Sequence, residues 1–192
     1  MIVTIASGKG GTGKTLLATG LARVAASEGD LRVHLLDCDV EAPNAHLFLN
    51  PVIAETEEVA VPVPRVDCAR CTFCGRCARV CAFHALAVVR DRVLVFPELC
   101  HGCGSCALQC PERAIIEAPR RLGQIGLGRA GAVRFAQGLL DVGQAMATPV
   151  IRRLKQKAIP TAGGRSDLVL LDAPPGNACP VIETLRGSDF AP

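Results

Sequence analysis

Residues 8–15 read GKGGTGKT, a Gly-x4-Gly-Lys-Thr pattern from which the fold prediction starts. Before this pattern, residues 2–6 (IVTIA) are an apolar run with the length of a short buried strand. After it, residues 14–28 have the apolar periodicity of a helix, and Gly29 is suited to end that helix. A strand, a glycine-rich loop and a helix in this order predict a loop that binds phosphate through its backbone N–H groups.

The loop residues have separate expected roles in binding a nucleotide. Lys14 is expected to reach the β and γ phosphates, and the Thr15 hydroxyl is expected to ligate Mg²⁺. The glycines allow the backbone to close around phosphate oxygens. The predicted nucleotide-binding loop residues are Gly8, Lys9, Gly10, Gly11, Thr12, Gly13, Lys14 and Thr15.

Three acidic residues follow apolar strands elsewhere in the chain. Asp37 and Asp39 come at the end of residues 31–37 (LRVHLLD), and Asp172 ends the apolar stretch 166–172. In a parallel sheet such carboxylates face the crevice at the strand C-termini, where ligands bind. Each alone could be a solvated strand-end carboxylate or a helix cap. Together with the loop they predict a Mg·nucleotide site.

A cysteine-rich segment lies at about residues 65–120. A Pro-rich link at 59–66 (VAVPVPRV) precedes it. The pattern C-x2-C-x2-C-x3-C occurs twice, displaced by 29 residues, and Pro111 follows the second copy. This is the spacing of bacterial ferredoxins with two [4Fe–4S] clusters, in which the fourth cysteine of each run ligates the other cluster. The predicted ligands are Cys71, Cys74, Cys77 and Cys110 for the first cluster, and Cys100, Cys103, Cys106 and Cys81 for the second.

Two alternatives accompany the cluster prediction. Structural zinc also uses C-x2-C pairs, but zinc sites do not need three closely spaced cysteines per run together with a crossed fourth. Cys68 fits neither ligand set, and we interpret it as a half-buried thiol or as a backup ligand for Cys71.

Composition limits the class of protein. The chain has 192 residues, of which 49% are apolar, enough for one ordinary domain plus a small insert. The formal net charge of +3 does not indicate nucleic acid or an anionic membrane surface as a partner. The N-terminus lacks a secretion signal, and no apolar run approaches the roughly 20 residues of a membrane span, which predicts a reducing, cytoplasmic setting.

The stretches KGGTGKT, DCDVEAPN and DAPPG resemble the MinD/Mrp/ParA group of deviant-Walker ATPases, and in particular MinD-type ATPases that carry an inserted ferredoxin domain. The resemblance implies that Lys9 reaches across a dimer to the partner's nucleotide and that Asp39 positions the attacking water. It also implies that Asp37 lies near the magnesium and that Asp172 holds the magnesium through water. Lys9, Lys14 and Asp39 are therefore the expected catalytic residues.

The resemblance extends to fold and function. It implies an α/β P-loop NTPase fold, with helices on both faces of a parallel sheet, in residues 1–64 and 121–192, interrupted at 65–120 by a small α+β insert of the bacterial ferredoxin type. The expected function is ATP hydrolysis by a nucleotide-dependent homodimer, coupled to electron transfer toward a redox protein. An iron–sulfur assembly or carrier ATPase and a non-catalytic ATP-binding module remain alternatives. Members of the group continue beyond residues 187–190 (GSDF), so a C-terminal truncation is expected.

Overall fold

A computed structural model describes residues 1–29, 31–160 and 167–192, and the chain divides into two compact units. The first unit combines Met1–Val59 with Leu122–Pro192, and the second comprises Ala60–Arg121. Among the described residues, no helix combines the length and apolar character needed to cross a membrane.

The first unit is built from strands and helices that alternate over much of its length. Two of its strands, Val52–Val66 and Ile115–Ala130, continue past the unit boundaries. The strands are β1 (Ile2–Ile5), β2 (Arg32–Asp37), β3 (Val52–Val66), β6 (Ile115–Ala130), β7 (Val133–Leu140) and β8 (Asp167–Asp172), and the helices are α1 (Lys14–Ser27), α2 (Ala45–Leu49), α5 (Ala147–Ala158) and α6 (Cys179–Leu185).

The six strands form one sheet in the order β1-β8-β2-β7-β6-β3. The pairs β1–β8, β8–β2 and β2–β7 are parallel, whereas β6 and β7 form an antiparallel hairpin. The predicted α/β class with a mostly parallel sheet is thus confirmed. Parallel pairing brings the C-termini of β1, β2 and β8 to one edge, where their following loops meet.

Helices cover both faces of this sheet. On one face, Ala18 and Ala22 of α1 pack in a common core with Leu35 and Phe135. On the other face, α5 lies so close to β7 that a Cβ atom at Gly138 would come 3.1 Å from a Val150 methyl group. Residues of a strand alternate between the two faces, so the residue before Phe135 and the residue after it face α5.

The predicted Pro-rich link at 59–66 is wrong, because these residues continue strand β3. Val59, Val61 and Val63 are buried and alternate with exposed positions, which is the period of a half-buried strand. Proline lacks an N–H group and is tolerated in a strand mainly at a sheet edge, and β3 is the last strand in the sheet order. The alternating valines were the stronger signal.

The second unit consists of two similar halves. It holds a two-stranded antiparallel ribbon and short helices. The halves are tied by crossed backbone bonds: Asp67 donates to the Ala114 carbonyl at 2.7 Å, and Phe96 donates to the Ala85 carbonyl at 2.8 Å. Its own elements are α3 (Arg76–Val80), β4 (Leu86–Val89), β5 (Arg92–Val95), a 3₁₀ turn (Pro97–Leu99) and α4 (Ser105–Leu108).

Candidate functional site

The glycine-rich loop connects β1 to α1, at the strand edge described above. Gly11 and Gly13 have φ angles of 73° and 87°, a region that favours glycine, so these two positions depend on the absence of a side chain. Lys14 begins α1, and its Nζ donates to the Ser7 hydroxyl at 3.1 Å and to the Lys9 carbonyl at 3.5 Å. The lysine therefore lies across the loop that it is predicted to serve.

An open cavity of about 710 Å³ lies over this loop. Its wall combines loop residues 10–16 with Asp39 from the segment after β2, and with Ala173 and Pro175 from the segment after β8. Asn44 and Phe48 complete the wall and were not predicted, because nothing in the loop motif points to residues about 30 positions away. The fold thus brings the three predicted segments to one concave surface.

Asp37 is fully buried at the end of β2 and organises the segment that follows it. Its Oδ1 accepts from the Asp39 N–H at 3.1 Å, and its Oδ2 accepts from the Asn44 and Ala45 N–H groups, both at 2.9 Å. Burial raises the pKa of Asp37 to about 7, and the nearby Asp172 carboxylate contributes to the rise against these backbone bonds. Asp37 therefore holds the loop that carries Asp39.

Asp172 is the buried carboxylate of the site whose oxygens remain unpartnered. It is 1% exposed and lies in register with Asp37 on β2 and with Ile5 on β1. Neither carboxylate oxygen accepts a hydrogen bond at bonding distance. Burial raises its pKa to about 6, against the opposing influence of Thr15 and Lys14. An orphaned carboxylate that faces a threonine and a lysine fits a hydrated Mg²⁺ ion, which prefers oxygen ligands.

Replacing Asp172 by asparagine is expected to stabilise the nucleotide-free chain at high pH. A carboxyl group whose pKa is higher in the folded chain binds its proton more tightly when folded, so its contribution to stability falls as the pH rises from 3.8 to about 6. At pH 8 the variant should gain about 2–3 kcal/mol in the free energy of unfolding, because one pKa unit corresponds to about 1.4 kcal/mol.

Urea denaturation of the nucleotide-free chain at pH 4 and pH 8 measures this gain. Asp91→Asn, at an exposed turn position, is the matched control and should change stability at neither pH. A gain for Asp172→Asn that is equal at both pH values would contradict the assigned cause.

Lys9 and Asp39 lie at the rim of the site. The Lys9 side chain is exposed, while its carbonyl accepts hydrogen bonds from Ser7 and Lys14. Asp39 is half-buried, and burial raises its pKa against the opposing charge of Lys14. Asp39 lines the cavity over the loop, whereas Lys9 does not line it and is exposed to solvent.

The eight predicted cluster cysteines line two cavities within the second unit. Each cavity combines three cysteines of one run with the fourth cysteine of the other run. The first is lined by Cys71, Cys74, Cys77 and Cys110, and the second by Cys81, Cys100, Cys103 and Cys106.

Backbone N–H groups point at four of these sulfur atoms in a repeated pattern. Phe73 donates to the Cys71 sulfur and Gly102 to the Cys100 sulfur, both at 3.4 Å. The second pair of bonds is Ala85 to Cys81 at 3.2 Å and Ala114 to Cys110 at 3.3 Å. Phe73 and Gly102 share a positive φ, as do Gly75 with Gly104 and His84 with Arg113.

No group of three or more His, Cys, Asp or Glu side chains within the described ranges is arranged around one metal ion. Burial raises the pKa of Cys77 and of Cys106, and each also lies near two other thiols of its run. A four-iron cluster holds its thiolates further apart than one ion does, because each sulfur binds a different iron.

The three other cysteines lie outside both cavities. Cys68 is exposed, so its interpretation as a half-buried thiol is wrong, and it lines neither cavity. Cys38 is fully buried between Asp37 and Asp39, and burial raises its pKa far above the usual range. Cys179 is exposed at the first position of α6.

The chain is similar in sequence to several curated proteins. The chain is 35% identical over its whole length to an uncharacterised protein of Methanocaldococcus jannaschii, and 26% identical over 98% of its length to a second uncharacterised protein of that organism. In both cases it spans 66% of the relative's own length. An Arabidopsis thaliana mitochondrial iron–sulfur protein required for NADH dehydrogenase is 43% identical over 49 residues, 26% of this chain and 16% of that protein.

Solved structures show a more distant likeness. The septum site-determining protein MinD of Pyrococcus horikoshii, complexed with Mg-ADP, is 17% identical with a TM-score of 0.48, covering 99% of this chain and 55% of that one. The cell division ATPase MinD of Pyrococcus furiosus is 18% identical with a TM-score of 0.47, at 99% and 56% coverage.

The family described as the CobQ/CobB/MinD/ParA nucleotide binding domain matches residues 3–170. This range contains the loop over which the first cavity opens and most of β8. The match covers well over half of the chain, and the chain belongs to this nucleotide-binding family.

Proposed function

We propose that the chain hydrolyses ATP as a nucleotide-dependent dimer and couples its nucleotide state to electron transfer through two [4Fe–4S] clusters. The observation that carries the iron–sulfur part is the pair of cavities, each lined by four cysteines drawn from both runs. The nucleotide part rests on family membership and on the three segments that converge at the glycine-rich loop. The chain spans about two thirds of its curated relatives, so activity of the whole protein is part of the proposal.

The cysteine cavities fit iron–sulfur clusters better than zinc. Four thiols per cavity supply one ligand for each iron, and the N–H donors would stabilise the anionic sulfur atoms. Residues 65–121 contain nine arginines and five acidic residues, and this positive excess would offset cluster charge. Bound clusters would supply low-potential electron storage, while the cysteines hold them and the backbone tunes them.

At the nucleotide site, each side chain has a role that its position permits. Lys14 would bind the terminal phosphates, and Thr15 with the orphaned Asp172 would hold Mg²⁺. Asp39 would orient the attacking water from the half-buried rim. Lys9, exposed beside the loop, would reach the nucleotide of a second copy across a dimer.

Coupling would run through the segments that follow β2 and β8. Asp37 ties residues 38–45 to the sheet through three N–H bonds, and the Cys38 N–H donates to the Asp172 carbonyl at 2.9 Å. A nucleotide that engages Asp39 and Asp172 would therefore change two linked segments at once. In nucleotide switches, contacts with the terminal phosphate hold such loops in one conformation, and hydrolysis releases them.

The test of coupling is the rate of cluster reduction in the reconstituted chain. We expect a difference of roughly fivefold or more between ADP and a non-hydrolysable ATP analogue, because a coupling free energy of about 1 kcal/mol corresponds to that factor. Stopped-flow absorbance near the cluster bands measures the rate. Lys14→Ala should remove the difference, and equal rates in the parent chain would contradict coupling while leaving nucleotide binding intact.

A second candidate function is an iron–sulfur carrier or assembly ATPase. It is favoured by Cys74 and Cys103, which are exposed, since cluster release requires accessible ligands. Transfer of iron to an apo-acceptor that is sensitive to a chelator and dependent on ATP would support this function. Clusters that persist through many ATP turnovers would support electron transfer instead. A steady-state ATPase assay on the reconstituted chain distinguishes both from a module that binds ATP without turnover.

A further inference from the structure

A second open cavity of the first unit, about 540 Å³ in volume, lies away from the nucleotide site. It is formed by β2, β7, the end of β6 and the C-terminal turn of α5. His34 on β2 lines this cavity and precedes Asp37 by three residues, about 10 Å along the strand. The cavity therefore opens toward the N-terminal end of the parallel strands, opposite the edge that carries the glycine-rich loop.

Strand register places three basic side chains in one row across the sheet. His34 is opposite Arg134 in the parallel β2–β7 pair, and Arg134 is opposite Arg129 in the antiparallel β7–β6 pair. Directly opposed residues of neighbouring strands point to the same face. All three side chains line the cavity, together with Lys157 near the end of α5.

The two arginines of this row are not neutralised within the described chain. Arg32 pairs with Asp167 at 2.9 Å, and Lys157 pairs with Glu57 at 2.8 Å. By contrast, no described carboxylate pairs with Arg129 or Arg134. Like charges directly opposed across strands destabilise a sheet. Both arginines are exposed, so solvent screens part of this repulsion, and an anion bound between the two guanidinium groups would remove the rest.

His34 supplies an independent sign of a missing ligand. The residue is 4% exposed, and its Nε2 is buried without a hydrogen-bond partner. Asp167 Oδ1 lies 3.7 Å from this nitrogen, beyond hydrogen-bond distance. Burial, with the charge of Arg134 next in importance, lowers the pKa of His34 against the opposing influence of Asp167 and of the Ala158 backbone, which favours the neutral ring.

The floor of the cavity is apolar. Leu36 and Ala136 lie beside the basic row on the same face, and Leu127 is opposite Ala136 in the register of β6 and β7. A ligand that fits both surfaces therefore has an anionic head and a compact apolar body. Guanidinium forks match the oxygen geometry of phosphate in particular.

We propose that this cavity is a binding site for a small organic phosphate, with the phosphate held by Arg129 and Arg134 and the apolar part lying on Leu36 and Leu127. His34 Nε2 hydrogen-bonds the ligand from the wall of the cavity. The site is distinct from the nucleotide site and goes beyond the proposed function.

Phenyl phosphate is the probe, titrated calorimetrically into the full chain carrying Lys14→Ala, so that phosphate binding at the glycine-rich loop is suppressed. We expect saturable one-to-one binding that weakens by roughly tenfold or more in Arg129→Gln/Arg134→Gln, because two charge-assisted contacts are lost. Arg23→Gln, on an exposed position of α1, is the matched control and should leave the affinity unchanged. Inorganic phosphate should bind roughly fivefold or more weakly than the probe, because it leaves the apolar floor uncovered.

Thermal unfolding in the absence of anion checks that the double variant is still folded. The double glutamine variant should unfold at the same temperature as its parent or at a higher one, because a like-charge pair is removed. Equal probe affinity in the double variant and its parent, or no saturable binding up to about 10 mM, would overturn the site. Equal affinity for inorganic and phenyl phosphate would overturn the role of the floor.

Discussion

Lys14→Ala is expected to lower the affinity for Mg·ATP, and with it ATP turnover, by roughly a hundredfold or more. The Nζ atom already lies across the loop, held by the Ser7 hydroxyl and the Lys9 carbonyl, so no rearrangement of the backbone is needed for it to meet phosphate. Loss of one pre-positioned charged donor in such a site costs about 3–4 kcal/mol. Equilibrium binding of a fluorescent ATP analogue and steady-state phosphate release measure the two effects.

Lys9→Ala is the matched comparison within the same loop. Its exposed side chain makes no contact that holds the loop, whereas its backbone carbonyl does and is retained in the variant. Affinity for ATP should therefore change by less than about threefold, while turnover falls if Lys9 acts across a dimer. Parent-like ATP affinity in Lys14→Ala would contradict the proposed site, and parent-like turnover in Lys9→Ala would contradict only the dimer.

Paired cysteine substitutions are expected to distinguish crossed from uncrossed cluster ligation. Cys81→Ala/Cys106→Ala removes two cysteines of the same cavity and should leave about four iron atoms per chain. Cys77→Ala/Cys81→Ala removes one cysteine from each cavity and should leave almost none. Iron analysis together with electron paramagnetic resonance of the dithionite-reduced protein measures the outcome.

Cys68→Ala is the control for this experiment, because Cys68 is exposed and lines neither cavity. It should retain about eight iron atoms, the full content of two clusters. The reverse result, with four iron atoms in Cys77→Ala/Cys81→Ala and none in Cys81→Ala/Cys106→Ala, would show that each run ligates its own cluster. Loss of iron in Cys68→Ala would make that residue a ligand.

Some of these features were predictable because they are local. The glycine-rich loop needs only eight consecutive residues between a strand and a helix, and the elements found at Ile2–Ile5 and Lys14–Ser27 agree with that prediction. The 29-residue repeat of cysteines predicted two similar halves, and matching φ angles at corresponding positions follow from the same spacing. In both cases the local backbone geometry determines which residue types are needed at each position.

The Pro-rich stretch shows where such reasoning failed. The prolines Pro62 and Pro64 favour a link, but the alternating valines around them belong to a strand. Whether proline is tolerated depends on whether a strand lies at the edge of a sheet, and that position depends on the order of all six strands. The order of the strands in a sheet cannot be inferred from the sequence of one strand.

The motifs therefore predicted the family, the phosphate loop and the two similar halves of the cysteine-rich segment from neighbouring residues alone. Folding was needed to bury Asp172 without a partner beside Thr15, because that carboxylate comes from a strand more than 150 positions away. Folding was equally needed to align His34, Arg134 and Arg129, which lie on three strands and meet only through their register. Contacts between distant segments are set by pairing and packing of the whole sheet, and these contacts determine which charges are neutralised and which remain available for a ligand.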